Sequence, residues 1–229
     1  MTTLPPLQGS DAIAAWQRFL KLLWFDQDLG FWLDISRMGV SEQDLQAMRE
    51  PFARAHAAMA ALEAGAIANA DEQRQVGHYW LRNPSLAPDA QTADHIRAEV
   101  DRIVGFGAGI LDGSLRAPSG QPFTDVLWIG IGGSGLGPLL MVRALQELGT
   151  GLPFHFFDNV DPDGLSRTLA ALGSRLTTTL VIVVSKSGGT PEPHLGMAQA
   201  RARLESQGGQ WPGQAVAVTM LGSRLDQQA

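Results

Sequence analysis

The sequence has no cysteine, a single tyrosine and little charge, with only 17% Asp, Glu, Lys and Arg. Without cysteine there are no disulfides and no thiolate metal sites, a composition that suits the cytosol. The longest apolar run of the later half, Leu180 to Val184, is far too short to span a bilayer. Met1 to Ser10 lack the basic and then apolar regions of a secretory signal. Positive charge is also scarce: 17 Lys and Arg stand against 23 Asp and Glu, for a net charge of −6. That balance argues against nucleic acid or an anionic membrane as partner. It leaves a small anion open, because backbone N–H groups and one lysine suffice to hold a phosphate. At 229 residues and 45% hydrophobic content, the chain is long enough for one large domain or two small ones. The reading is a soluble, cytoplasmic chain.

The first part reads as helical. Ile13, Trp16, Phe19, Leu20, Leu23 and Trp24 recur at three- and four-residue steps, an apolar stripe over Asp11 to Phe25 with Ser10 or Asp11 as N-cap. Gly30 and Gly39 interrupt the pattern. Ser41 and Asp44 begin a second helix running to about Gly65, kinked or divided at Pro51. A third is expected from Pro88 to Phe106, with Ile96, Val100, Ile103 and Val104 on one side. Gly105 to Pro122 is rich in Gly, Ser and Pro and reads as a loop or linker. Beyond it, β-rich runs at Val126–Ile131, Phe154–Phe157, Leu180–Val184 and Ala215–Thr219 alternate with helical stretches at Leu136–Leu148, Asp163–Leu172 and Glu192–Ser206. Such alternation implies βαβ units and a parallel sheet. The expected organisation is α/β: a mainly helical region over 1–120, then an incomplete doubly wound parallel sheet over 121–229. Because the sequence ends soon after the fourth run, an unfinished chain is expected.

Two segments carry chemistry. Leu127-Trp-Ile-Gly-Ile-Gly-Gly-Ser-Gly-Leu-Gly-Pro138 runs from a strand through glycines into a helix, where N–H groups and the helix dipole favour an anion. Alone it is ambiguous. Gly130, Gly132 and Gly135 satisfy G-x-G-x-x-G, and Asp158 ends the next strand where a dinucleotide fold keeps its ribose-binding acid. A turn that merely needs small residues is the plainer alternative. The second segment is Val184-Ser-Lys-Ser-Gly-Gly-Thr-Pro-Glu192. Ser185, Ser187 and Thr190 with Lys186 and two glycines suit a dianionic phosphate, and a dinucleotide domain has no need of them. Thr190 fits an N-cap and Pro191 the first helical position. Glu192 reads as a helix-start acid rather than a catalytic one. His78, in Gly77-His-Tyr-Trp-Leu81, reads as a buried or half-buried structural histidine. His56, His95, His155 and His194 show no metal-ligand spacing. Trp16, Trp24, Trp32 and Trp80 read as core or interface.

Gly-Ile-Gly-Gly-Ser134 followed by Ser185-Lys-Ser-Gly-Gly-Thr190 resembles the sugar isomerase (SIS) domain of the glucose-6-phosphate isomerase family. Phe156-Phe-Asp-Asn-Val-Asp-Pro162 is similar to that family's second-strand segment. Asn69, Glu72, Arg74, His78, Leu81 and Arg82 match a stretch of its helical half, and Val218-Thr-Met-Leu-Gly-Ser-Arg-Leu-Asp226 is also like the family. The resemblance implies an SIS-like, flavodoxin-like three-layer sandwich. It places Gly133 and Ser134 near the sugar phosphate, with Ser185, Lys186, Ser187 and Thr190 around its oxygens. Gly189 stands where many members have Thr, so one hydroxyl is lost and its N–H kept. It also implies interconversion of glucose 6-phosphate and fructose 6-phosphate through an enediol, without metal or organic cofactor, by a homodimer in the full-length form. The glutamate, histidine, lysine and arginine that do this chemistry lie later in such chains. No catalytic residue is therefore assigned within these 229 positions, and the chain alone is expected to be inactive. Two alternatives stand behind this reading: a non-catalytic phosphosugar-binding regulator, and then an NAD-dependent oxidoreductase.

Overall fold

The computed structural model describes residues 9–145 and 151–229, and the chain divides into two compact units, Met1–Arg97 and Ala98–Ala229. The leader reading of Met1 to Ser10 falls almost wholly outside the described residues, as do the last three residues of the helix expected to reach Leu148.

The first unit mixes helices with two hairpins. Helix α1 (Gly9–Leu22) takes up most of the expected apolar stripe but stops before Leu23. Leu23–Asp26 (β1) instead pairs antiparallel with Phe31–Asp34 (β2), in a register that stacks Phe25 on Trp32 with ring centroids 4.2 Å apart. Asp26 shapes the turn by accepting the Leu29 N–H, and Gly30 supplies a positive φ of 58°. The second expected helix is divided, as α2 (Glu42–Ala47) and α3 (Arg49–Glu63), with the break at Met48 and Pro51 tolerated in the first turn of α3. Ser41 and Asp44 form a reciprocal capping box on α2. A second hairpin, β3 (Ile67–Asn69) with β4 (Arg74–Gln75), carries the Asn69, Glu72 and Arg74 of the helical-half motif. There Asn69 accepts the Glu72 N–H and Glu72 pairs with Arg74 at 2.9 Å. Helix α4 (His78–Arg82) follows. Its Trp80 is buried and donates its indole N–H to the carbonyl of Glu63, one of the orphan acceptors at the end of α3. His78 is exposed, contrary to the expectation of burial; Trp80 fills the interior position two residues on.

Helix α5 (Ala90–Leu111) runs through the boundary of the units. It continues past Gly105, Gly107 and Gly109, so the linker expected over Gly105–Pro122 is shortened to residues 112–124. Ile110 holds the end of the helix by burial, and the Leu115 N–H donates to the carbonyl of Gly109. Gly109 also has a use there, since a Cβ on it would meet Leu115 at 3.0 Å.

The second unit is a four-stranded parallel sheet in the order β6-β5-β7-β8, formed by β5 (Asp125–Ile129), β6 (Phe154–Phe157), β7 (Thr179–Val184) and β8 (Ala215–Val218). Helices α6 (Gly133–Leu145), α7 (Pro162–Leu172) and α8 (Pro191–Ser206), with the short α9 (Trp211–Gln214), connect them. Residues of β7 alternate between two cores, as a sheet covered on both faces requires. Val181 and Val183 pack with Leu165, Leu169 and Leu172 of α7 and Ala200 and Leu204 of α8, whereas Leu180 joins Ile110 and Phe123 on the other face. Helix α8 approaches closely because Pro193, Gly196, Ala200 and Leu204 form its buried stripe. A Cβ on Gly196 would sit 3.1 Å from Ile129.

Candidate phosphate-binding site

Strand order places the two chemistry-bearing loops side by side. The chain leaves β5 to one side for β6, then crosses back beyond β5 to form β7. The point between β5 and β7 is therefore a topological switch, the position at which open parallel sheets characteristically take their ligands. Ile129 is level with Val183 in the ladder, so Gly130 and Val184 lie level as the chain leaves the strands.

In the first loop the glycines answer mainly to packing. A Cβ on Gly135 would lie 2.3 Å from the Gly130 carbonyl oxygen, and one on Gly130 would lie 2.6 Å from that of Ser134. Gly132 has a φ of 55°. All three glycines of G-x-G-x-x-G are thus required by the strand–helix turn itself. Asp158 is engaged by its neighbour, the Asn159 amide donating to it at 2.7 Å. Gly133 is the first residue of α6 and is exposed, and Ser134 is half-buried behind it.

Pro138 lies inside α6 and has no N–H to give the carbonyl four residues back, that of Ser134. Trp128 of β5 supplies the missing donor: its indole N–H reaches the Ser134 oxygen at 2.8 Å. The first turn of α6 is so tied to the strand before it. Sequence reasoning passed over Trp128, although a proline four residues after Ser134 signals an acceptor in need of a donor.

The second loop is built around Ser185, which is buried, while Lys186, Ser187 and Thr190 are exposed. Gly188 donates its N–H toward both the carbonyl and the hydroxyl of Ser185, each at 3.2 Å, and Gly189 donates to the Ser187 hydroxyl at 3.3 Å. Gly188 has a φ of 68°, which favours glycine. Thr190 occupies the N-cap position of α8 and Pro191 its first turn, but the Thr190 side chain makes no capping bond. It faces the Ser185 hydroxyl at 3.5 Å instead, a correction to its expected capping role. Glu192 lies in the first turn of α8. The loop thus brings three hydroxyls and one ammonium to a helix start, with its glycine N–H groups bonded within it, a set of groups suited to an anion.

The opposite end of the sheet is polar for another reason. Asp125, almost fully buried at the start of β5, accepts from Thr124 at 2.8 Å and Arg175 at 3.1 Å and lies 2.9 Å from His155 Nε2. Burial alone would raise its pKa, but these hydrogen bonds and the Arg175 charge together hold it below the ordinary value. Among the described residues no group of three or more His, Cys, Asp and Glu is placed to hold a metal ion, and no helix is long and apolar enough to cross a membrane.

Comparison with known proteins assigns this architecture. The sequence model described as phosphoglucose isomerase matches residues 34–225. A glucose-6-phosphate isomerase of Parasynechococcus marenigrum is 64% identical over 99% of this chain, and one of Prochlorococcus marinus is 63% identical over all of it. The chain spans 41% and 42% of the length of these two relatives. A crystal structure of a glucose-6-phosphate isomerase from Chlamydia trachomatis superposes with a TM-score of 0.74 at 28% identity, covering 92% of this chain and 41% of that one. With the glycines of the first loop accounted for by packing and the second loop built of hydroxyls, the chain belongs to the phosphoglucose isomerase family.

Proposed function

We propose that these residues serve a glucose-6-phosphate isomerase, which interconverts glucose 6-phosphate and fructose 6-phosphate. Gly133 and Ser134 approach the sugar phosphate from the first loop. Ser185, Lys186, Ser187 and Thr190 surround its oxygens from the second. The observation that carries this reading is the departure of both loops from adjacent parallel strands at the switch point of the sheet. A phosphate held there anchors the remote end of the substrate, and that binding energy orients the reacting carbons. Residues 121–229 constitute an SIS domain in this reading, preceded by a mainly helical region over 1–120. The catalytic acid, base and oxyanion-stabilising groups are assigned to none of the residues present. The full-length enzyme is a cytoplasmic homodimer that needs no metal or organic cofactor.

Lys186→Ala in the full-length enzyme tests the phosphate assignment. Loss of one charge-assisted hydrogen bond costs about 1–3 kcal/mol, so the affinity for fructose 6-phosphate should fall about 5- to 150-fold by calorimetry. An unchanged affinity would sink the assignment.

A further inference from the structure

Val218–Asp226 matches the family in sequence, yet it lies outside both phosphate loops, and its place in the structure gives it a role. The ladder between β7 and β8 continues past both strands. Ser185 donates its N–H to Val218 at 3.1 Å, and Met220 donates to the carbonyl of Lys186 at 3.2 Å. Between these rungs the Thr219 hydroxyl lies 2.7 Å from the Ser185 carbonyl and 2.7 Å from the Ser223 hydroxyl. A carbonyl only accepts, so Thr219 donates its one proton to Ser185 and accepts from Ser223. Ser223 in turn accepts the Asp226 N–H at 3.1 Å. The result is a directed chain from the Asp226 amide through two hydroxyls to the backbone of the phosphate loop. The same turn closes on Gly188. A Cβ there would lie 2.4 Å from the Leu225 nitrogen and 2.9 Å from the Ser223 hydroxyl, and Leu225 is itself anchored in the core.

We infer that the 219–226 turn is a buttress setting the shape of the phosphate loop, and that Thr219 is its positioning residue, acting through the Ser185–Lys186 peptide without touching substrate. This rests on the phosphate reading above. The loop's own bonds, from Gly188 to Ser185 and from Gly189 to Ser187, close its internal turn, and the 219–226 turn ties its backbone to the strand beside it. The orientation of the Ser185–Lys186 peptide is therefore set from the turn behind it.

The test is steady-state kinetics of the full-length isomerase with Thr219→Val, Thr219→Ser, Ser223→Ala and Lys186→Ala. Inorganic phosphate serves as a competitive inhibitor that reads the loop without the chemical step. Thr219→Val should raise KM for fructose 6-phosphate and the inhibition constant of phosphate together, about 5- to 10-fold, the loss of one hydrogen bond. Its kcat should stay within about twofold, the pattern of lost uniform binding. Thr219→Ser should restore both constants. Should Thr219→Val fail to fold, Ser223→Ala breaks the chain one link further back and should show the same split. Unmoved KM and phosphate inhibition in Thr219→Val or its substitute, or a Thr219→Ser enzyme as impaired as the valine variant, overturns the buttress. If Lys186→Ala alone raises the two constants, the phosphate reading survives and only the buttress falls. If Lys186→Ala leaves them unmoved as well, the phosphate reading fails and the buttress with it.

Discussion

The indole of Trp128 compensates for the proline inside α6, and the compensation is measurable. In Trp128→Phe the ring volume is largely kept but the donor is lost, leaving the Ser134 carbonyl without either its helical partner or the indole. A buried acceptor deprived of its bond costs about 1–3 kcal/mol. Trp128 and Ser134 are both half-buried, so the low end of that range applies, about 1–1.5 kcal/mol. The two compact units need not unfold together, so hydrogen exchange of the α6 amides is a better probe than one global transition. Their protection should fall about 5- to 10-fold. The decisive comparison is a double-mutant cycle. Pro138→Ala restores a backbone N–H to the Ser134 carbonyl, so in that background Trp128→Phe should cost less than half as much, a coupling of about 1 kcal/mol. Equal costs in the two backgrounds would show that the indole matters through packing alone.

Two further predictions concern the rest of the sheet. Asp125→Asn should destabilise the second unit by about 1–3 kcal/mol at pH 7, by weakening its bonds with His155 and Arg175. Because the folded carboxyl titrates below its ordinary value near 3.8, its contribution is present above about pH 4 and is lost as pH falls through the folded pKa. The gap between the urea midpoints of wild type and variant should then narrow as pH falls below about 4, and a constant difference would refute the linkage. Gln214, 1% exposed, donates its amide to the carbonyls of Leu176 and Thr179, each at 3.1 Å. Gln214→Leu strands both acceptors and should cost about 2 kcal/mol or more in urea unfolding; a loss under about 0.5 kcal/mol would mean that the carbonyls find other partners.

Much of the second unit was legible in the sequence because parallel strands are buried on both faces and read as short continuous apolar runs. Phe154–Phe157 is observed with the boundaries expected for it, and Leu180–Val184 gains only Thr179. The first unit was less legible. The stripe of Trp16, Phe19 and Leu20 continues without a break into Leu23 and Trp24, and nothing within that window tells a helix from a strand. The decision comes from Phe31–Asp34 across the turn, a contact invisible to local periodicity. The three glycines of α5 misled in the other direction. Their propensity cost is real, about 1 kcal/mol each, but burial of Ile110 and close packing at Gly109 override it.

The candidate site divides along the same line. A G-x-G-x-x-G pattern records what a strand-to-helix turn needs in order to close, and here Gly130 and Gly135 meet each other, so the pattern is consistent with ligands of quite different kinds. Hydroxyls and a lysine are not needed to close a turn. On the proposed reading, Ser185, Lys186, Ser187 and Thr190 therefore carry information about a ligand that the glycines do not. What they omit is the framework that aims them. Trp128 reaches Ser134 across a strand–helix junction, and Thr219 reaches Ser185 from 34 residues away. Such partners carry no local pattern, since a threonine after a strand is ordinary until the strand beside it is known. The proposed anion site is thus half written in its loops and half in the sheet order, and on that reading Thr219→Val should weaken inhibition by inorganic phosphate without touching a single proposed ligand-facing group.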